Sequence, residues 1–376
     1  MTSSPVTADT TAPGRNSLPG IPANLIGRRR SSTDPGSLSL SWLAFAVVLL
    51  VVSTIWSLST GAISISLSEM MALVFPSSAA EATGTNSLVF WSIRLPRVLL
   101  ALVTGAALAS AGAAMQGLFR NPLADPGLIG VSSGASVGVV TWLVWGASWG
   151  VDSWLSSSMM VVSAFVGGIV TTLVVQFLSA LDGTISVTRM LLAGIAINAL
   201  AGAWTGIMVY ISDEQQLRAL TLWSLGSVGS ATWTAVAIVA PVVVIGAAII
   251  ARFARPLNLM LLGDGEAWCL GINPDRVRLC LVIFSAAMVG GVVAYTGLIG
   301  FVGMVVPHMV RLLAGADHRN LLVLSPILGA ALLVFADTLA RTLAAPAEIP
   351  VGILTSLVGA PFFIFLLFRA RQGGLA

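Results

Sequence analysis

Arg94 and Arg97 stand three residues apart, and Arg341 lies far along the chain; all three border long apolar runs. A guanidinium offers five donors in a planar fork that matches a carboxylate, so such groups at the mouth of an apolar run suit recognition of an acidic partner. Asp337, four residues before Arg341, is the competing partner, because i,i+4 side chains meet on a helix. Other chemistry-bearing residues are sparse. His308 and His318 are too few for a histidine-based metal site, and neither an HExxH nor a CxxC pattern occurs. No nucleophile–base pair or metal cluster is apparent, which argues against an intramembrane enzyme. All 18 basic residues are arginine, so a GxxxxGK[ST] phosphate loop cannot be built and any ATP must be hydrolysed on another chain. An ion-coupled transporter would need ionisable groups near the middle of the membrane. Asp337, near an outer end, is the only acidic residue inside a predicted span.

The elements that position these residues follow from composition. Of 376 residues, 57% are hydrophobic and 9% charged. Soluble domains carry about 25% charged residues, so the chain is an all-α polytopic membrane protein. Val98 to Phe119 contains no charge, long enough to cross a hydrocarbon core of roughly 30 Å. Its small residues (Gly105, Ala106, Ala109, Ala113, Ala114 and Gly117) mark it as a packed helix, because small side chains let helix backbones approach in lipid. Hydropathy places ten spans near 41–60, 95–118, 128–147, 159–181, 189–209, 234–253, 277–296, 299–314, 322–343 and 351–368.

Residues 1–40 are rich in Ser, Thr, Pro and Gly and end on Arg28-Arg29-Arg30; they are expected to form a disordered cytoplasmic tail before an uncleaved first span. The ten-span permease domain covers 41–370. With both termini inside, fourteen arginines face the cytoplasm and Arg94, Arg97, Arg218 and Arg341 face out, as the positive-inside rule requires. Cys269 and Cys280 then fall near the cytoplasmic face, with no disulfide expected.

Between spans, Asp213 to Gly226 reads as a short amphipathic outer helix. Residues 256–272 read as two short helices divided by Gly263. They hold apolar residues that a solvated loop has little reason to carry, so they present either a membrane-surface segment or a docking face for a soluble protein.

Arg94-Leu95-Pro96-Arg97, Gly105-Ala106-Ala107-Leu108, Asn121-Pro122-Leu123-Ala124-Asp125-Pro126, Gly300-Phe301-Val302-Gly303 with Pro307-His308, and Asp317-His318-Arg319 together resemble the permease subunits of type II ABC importers for iron chelates, haem and vitamin B12. Ala336-Asp337-Thr338-Leu339-Ala340-Arg341 and Glu348-Ile349-Pro350-Val351-Gly352 fit the same family. The resemblance implies a ten-helix permease in the cytoplasmic membrane. It works as a homodimer with two ATPase subunits, which bind the ATP and Mg, and with an extracytoplasmic substrate-binding protein or lipoprotein; no cofactor or nucleic acid is implied for this chain. It assigns Arg94, Arg97 and Arg341 to docking of the binding protein. It assigns Pro256, Leu257, Leu262, Gly263, Glu266, Leu270 and Gly271 to coupling with the ATPase. Val187 and Thr188 fall at the cytoplasmic gate, where vitamin B12 permeases have a Thr-Ser pair. Asn198, Ser132 and Ser133 are the polar groups expected along the pathway. Ala196–Gly202 and Gln216–Ser227 are most similar to the haem permeases, which makes haem the expected cargo, with a ferric siderophore or cobalamin as alternatives.

Overall fold

The computed structural model describes residues 40–61, 63–75, 84–146, 153–181 and 183–373. The expected tail, 1–40, lies outside these except for Leu40, where the first helix begins. In chain order the α-helices are α1 (Leu40–Ser59), α2 (Leu67–Val74), α3 (Thr85–Leu88), α4 (Leu95–Leu118), α5 (Val131–Trp145), α6 (Ser153–Ser179), α7 (Val187–Ile211) and α8 (Glu214–Ser224). They continue with α9 (Trp233–Arg252), α10 (Ala254–Met260), α11 (Asp264–Cys269), α12 (Pro274–Thr296), α13 (Val302–Ala314), α14 (His318–Leu343) and α15 (Val351–Gly373). Among the described residues, seven helical segments are long and apolar enough to cross a membrane, and three shorter apolar helices (α5, α13 and the first part of α15) occupy the remaining predicted positions. The chain is a multi-pass membrane protein.

The second span is longer than hydropathy predicts. Helix runs continuously from Thr85 to Leu118 because a π-helical turn, Val89–Arg94, carries α3 into α4. Pro96 has no N–H and its ring crowds the preceding turn; the wider turn ahead of it lets the helix pass through.

α4 is the central helix, with 78% of its apolar window buried against 17% for α1. Two glycine crossings set its packing. Gly105 lies against Gly329 of α14, and Gly112 against Gly303 of α13, so closely that a Cβ at Gly105 or Gly112 would overlap the opposing carbonyl. Dispersion and hydrogen bonding, rather than water exclusion, hold such helices together in lipid. α5 packs on α6 in the same way through Gly134 and Gly167.

α4 ends in a tight C-terminal turn. Arg120 adopts φ 50°, and the N–H of Asn121 reaches back to Gln116 O at 3.1 Å. Glycine usually occupies such a left-handed position; here an arginine does, and its side chain has a partner described below.

The remaining expected elements are present. α8 carries a capping box in which Asp213 accepts from Gln216 N and Gln216 returns a bond to Asp213 N. α10 and α11 form the predicted pair on either side of Gly263. Cys269 and Cys280 are free thiols.

Candidate functional site

The polar residues gather at the two ends of the bundle. At one end, α1 finishes beside the starts of α4 and α15 and the finish of α14. Arg94 Nη1 donates to Leu58 O at 2.7 Å, at the C-terminus of α1, and its Nη2 donates to Ile63 O in the loop that follows. Arg341 Nη2 donates to Ser57 O and to Ser57 Oγ, the latter at 2.7 Å. Both guanidiniums therefore satisfy orphan carbonyls at a helix C-terminus, where positive charge is also favoured. Arg97 holds Asp337 through Nε and Nη2 at 3.0 and 2.8 Å, and Glu348 through Nη1 at 2.9 Å.

This corrects the expectation of an open basic patch. Arg94 is 4% exposed and Arg97 7%, and the Arg341 side chain is equally enclosed. In a low-polarity surround an unpaired guanidinium is costly, so each turns inward to acceptors. The i,i+4 pairing of Asp337 with Arg341 is present but long, at 3.9 Å, and Arg97 is the tighter partner. A cavity of about 480 Å³ nevertheless reaches the cluster, lined by Arg94, Arg97, Arg341, Ile93, Thr342 and Glu348 among others. Arg341 Nε is buried there without a hydrogen-bond acceptor.

At the opposite end exposed arginines lie on α10 itself (Arg255) and at the ends of α9 (Arg252), α12 (Arg276) and α14 (Arg319). One face of this helix pair is anchored: Leu257, Met260 and Ala267 are almost wholly buried. Leu257 is thus a core residue and not part of a docking face, because the α10 turn aims it at Gly117, where any side chain would collide with it and with His318. The other face is open. Leu261 is 50% exposed, Leu262 66%, Trp268 57% and Leu270 55%; Glu266 and Gly271 are exposed beside them, while Pro256 and Gly263 are half-buried. Gly263 has φ 135°, a conformation that side chains resist, and the Glu266 carboxylate folds against it.

Asn258 locks α10 to the start of α14. Its Nδ2 donates to Asp317 Oδ1 at 2.7 Å, while its Oδ1 accepts from His318 N at 3.1 Å and lies 2.7 Å from His318 Nδ1. Burial pushes the Asp317 carboxyl up, but the Arg319 N–H and Asn258 outweigh it and hold the group below its usual range. Asp264, first residue of α11, bridges Arg120 at 2.6 Å and Arg278 at 2.5 Å. Burial raises its pKa, yet the hydrogen bond and charge of Arg278, then of Arg120, bring it below the ordinary carboxylate range.

Val187 is half-buried and Thr188 exposed, both in the first turn of α7. The segment before them and α11 enclose a cavity of about 500 Å³. The expected pathway residues are drawn into helix contacts instead: Ser133 Oγ donates to Asn198 Oδ1 at 2.5 Å, and Asn198 Nδ2 donates to Gly127 O at 3.3 Å. They fasten α7 to the start of α5, while Ser132 is half-buried nearby. Among the described residues no group of three or more His, Cys, Asp or Glu side chains could hold a metal ion.

Sequence reasoning passed over Arg120, Asn258, Asp264, Asp275, Arg278 and Glu348. The usable signal was a charge inside or at the edge of an apolar helix, as for Arg278, although its partners lie on other elements.

Comparison with known proteins agrees with this layout. The sequence matches the FecCD transport family over residues 49–369. It is 46% identical over 333 residues to the hemin transport system permease protein HmuU of Yersinia pestis, covering 88% of this chain and 96% of that protein. It is 37% identical over 334 residues to the vitamin B12 import system permease protein BtuC of Shigella boydii, covering 89% and 97%. A solved chain described as an inward-facing conformation of a metal-chelate type ABC transporter matches with TM-score 0.77 and 32% identity, over 88% of this chain and 99% of that one.

Proposed function

The chain belongs to the FecCD transport family, and on that premise we propose that it is the permease subunit of an ATP-driven importer carrying haem across the cytoplasmic membrane by alternating access. Two copies enclose the pathway. The end bearing α10 and α11 faces the cytoplasm together with both termini and seats two ATPase subunits, which bind the ATP and Mg. An extracytoplasmic binding protein or lipoprotein delivers cargo at the other end, and Val187 and Thr188 form the inner gate.

The observation that carries this reading is the open apolar face of α10 and α11. These helices have seven and six residues, too short to cross a membrane, and with their flanking turns they expose Leu262, Trp268 and Leu270, while Arg252 and Arg255 nearby in the chain are exposed as well. An apolar centre with a charged rim is the composition of a protein interface. Haem as cargo is supported by the extended identity to a hemin permease, which exceeds that to the vitamin B12 permease. The solved metal-chelate transporter favours a ferric siderophore as the second reading.

Docking of the binding protein is assigned to the cavity beside Arg94, Arg97 and Arg341. The cluster sets three guanidiniums against two carboxylates, Asp337 and Glu348, and Arg341 Nε has a donor to spare. An acidic side chain entering the cavity would meet this surplus. The test is ATP-dependent accumulation of haem, a ferric siderophore and cobalamin in proteoliposomes holding the permease, its ATPase and its binding protein. Haem accumulation is expected. Siderophore accumulation without haem would reverse the cargo, and accumulation of none would overturn the importer reading.

A further inference from the structure

Ile185 lies two residues before the gate position Val187, and both its backbone polar groups are held by α12. Its N–H donates to Asp275 Oδ1 at 3.1 Å, and its carbonyl accepts from Arg278 Nη1 at 3.1 Å. Arg278 extends the other way as well: Nη2 donates to Asp264 Oδ2 at 2.5 Å, on the first residue of α11. The same α11 carries Trp268 on its open face. One guanidinium, 6% exposed, therefore joins the short helix at the bundle end to the backbone that leads into α7.

We infer that Arg278 is a positioning residue that transmits displacement of α11 to the gate at Val187 and Thr188. The inference rests on the importer reading. Hydrogen bonds between ionised groups are short and strong, and this one is shielded on the arginine side. If α11 moves with a bound ATPase, Asp264 must either carry Arg278 with it or leave a buried cation with only the longer contact to Asp275, at 3.4 Å, in place of the 2.5 Å bridge. The second course is the costly one, so the link moves as a unit and takes the Ile185 carbonyl along. Arg120 grips the other Asp264 oxygen, but its side chain is 41% exposed and water screens it. The cavity of about 500 Å³ between α11 and the Thr184–Val187 segment leaves room for such a shift.

The test uses the full importer in nanodiscs, with Cys269→Ser and Cys280→Ala in the permease and Thr188→Cys as the reporter. The rate of labelling by a polar maleimide is measured with and without ATP and vanadate. The parent is expected to show a nucleotide-dependent change of about tenfold, towards the lower end of the usual coupling between linked sites. Arg278→Gln and Asp264→Asn should abolish that change while still co-purifying with the ATPase and hydrolysing ATP. Arg278→Lys should restore part of it, and Arg120→Gln should leave it intact. A merely structural arginine would alter melting temperature without separating hydrolysis from labelling. Nucleotide-dependent labelling that persists in Arg278→Gln overturns the inference, as does a variant that no longer binds the ATPase. A parent that assembles with no ATPase overturns the importer reading itself, and the relay with it.

Discussion

Arg97 and Asp337, 240 residues apart in the chain, meet in a two-pronged ion pair at the contact of α4 with α14, with Nη2 2.8 Å from Oδ1. Asp337 is 2% exposed, and Glu348, half in solvent, supplies a second carboxylate. Because both members of the inner pair are enclosed, its value to stability shows mainly when one is lost. Breaking a buried pair costs about 3–5 kcal/mol, whereas replacing both partners by apolar residues is often close to neutral. Asp337→Ala is therefore expected to lower the melting temperature in detergent sharply, and Arg97→Met with Asp337→Leu to recover most of it. Equal loss in the single and double variants would show that the pair does not govern the α4–α14 contact.

Glu348 gives a way to separate docking from structure. It occupies Arg97 Nη1 at 2.9 Å but has a side chain 50% exposed, so it competes with any carboxylate that enters the cavity. Removing its charge should strengthen binding-protein docking. An exposed pair is worth about 0.2–1 kcal/mol, so Glu348→Gln is expected to tighten docking by roughly 1.5- to 5-fold, with a steeper salt dependence. Affinity measured on nanodiscs at two salt concentrations checks this. Unchanged or weaker binding would leave the arginines as anchors of α1 and α14 alone.

How much of this was legible beforehand depends on the range of the interaction. Span positions follow from local hydropathy and were readable to within a few residues, apart from the ten-residue extension ahead of Leu95, which needed a π-helical turn no composition rule announces. The positive-inside rule singled out Arg94, Arg97 and Arg341 as exceptions, yet it carries no information on partners. The i,i+4 rule found Asp337 with Arg341; the shorter contact, to Arg97, depends on how two distant helices cross. Leu257 and Leu262 look alike in sequence, and only the fold decides that the first, on α10, is buried and the second, in the turn before α11, is open. Asn198 and Ser133 are expected along the pathway from the sequence; in the fold Ser133 donates to Asn198 instead, a contact between two helices that neither helix's own sequence announces.

The open face of α10 and α11 predicts a clean separation of assembly from folding. Trp268 and Leu262 are more than half exposed, and exposed substitutions usually change stability by less than about 0.5 kcal/mol. Aromatic and apolar anchors at the centre of an interface commonly contribute about 2 kcal/mol or more to binding. Trp268→Ala with Leu262→Ser should therefore abolish co-purification of the ATPase while the melting temperature of the permease stays the same. A permease that melts earlier would place these side chains in its own core, and retained co-purification would place the ATPase elsewhere.

Asp264 makes the bundle end sensitive to acid. Its folded pKa lies below the ordinary value because Arg278 and Arg120 favour the carboxylate more than burial opposes it. A group whose folded pKa is depressed stabilises the fold at pH values above its unfolded pKa, and that contribution is lost as pH falls through the folded one. The bridge is thus complete at neutral pH and weakens below the normal carboxylate range. Melting curves of the detergent-solubilised permease between neutral pH and strongly acid pH should fall less steeply for Asp264→Asn than for the native chain, the two converging at the acid end. The native chain should also lose the link from Arg278 to α11 over that interval, seen as faster proteolysis around Gly263, whose φ of 135° is held by the flanking helices. Parallel melting curves for the two proteins across the whole range would show that the Asp264 charge contributes nothing to the fold, and would leave Arg278 tied to α12 and the gate segment alone.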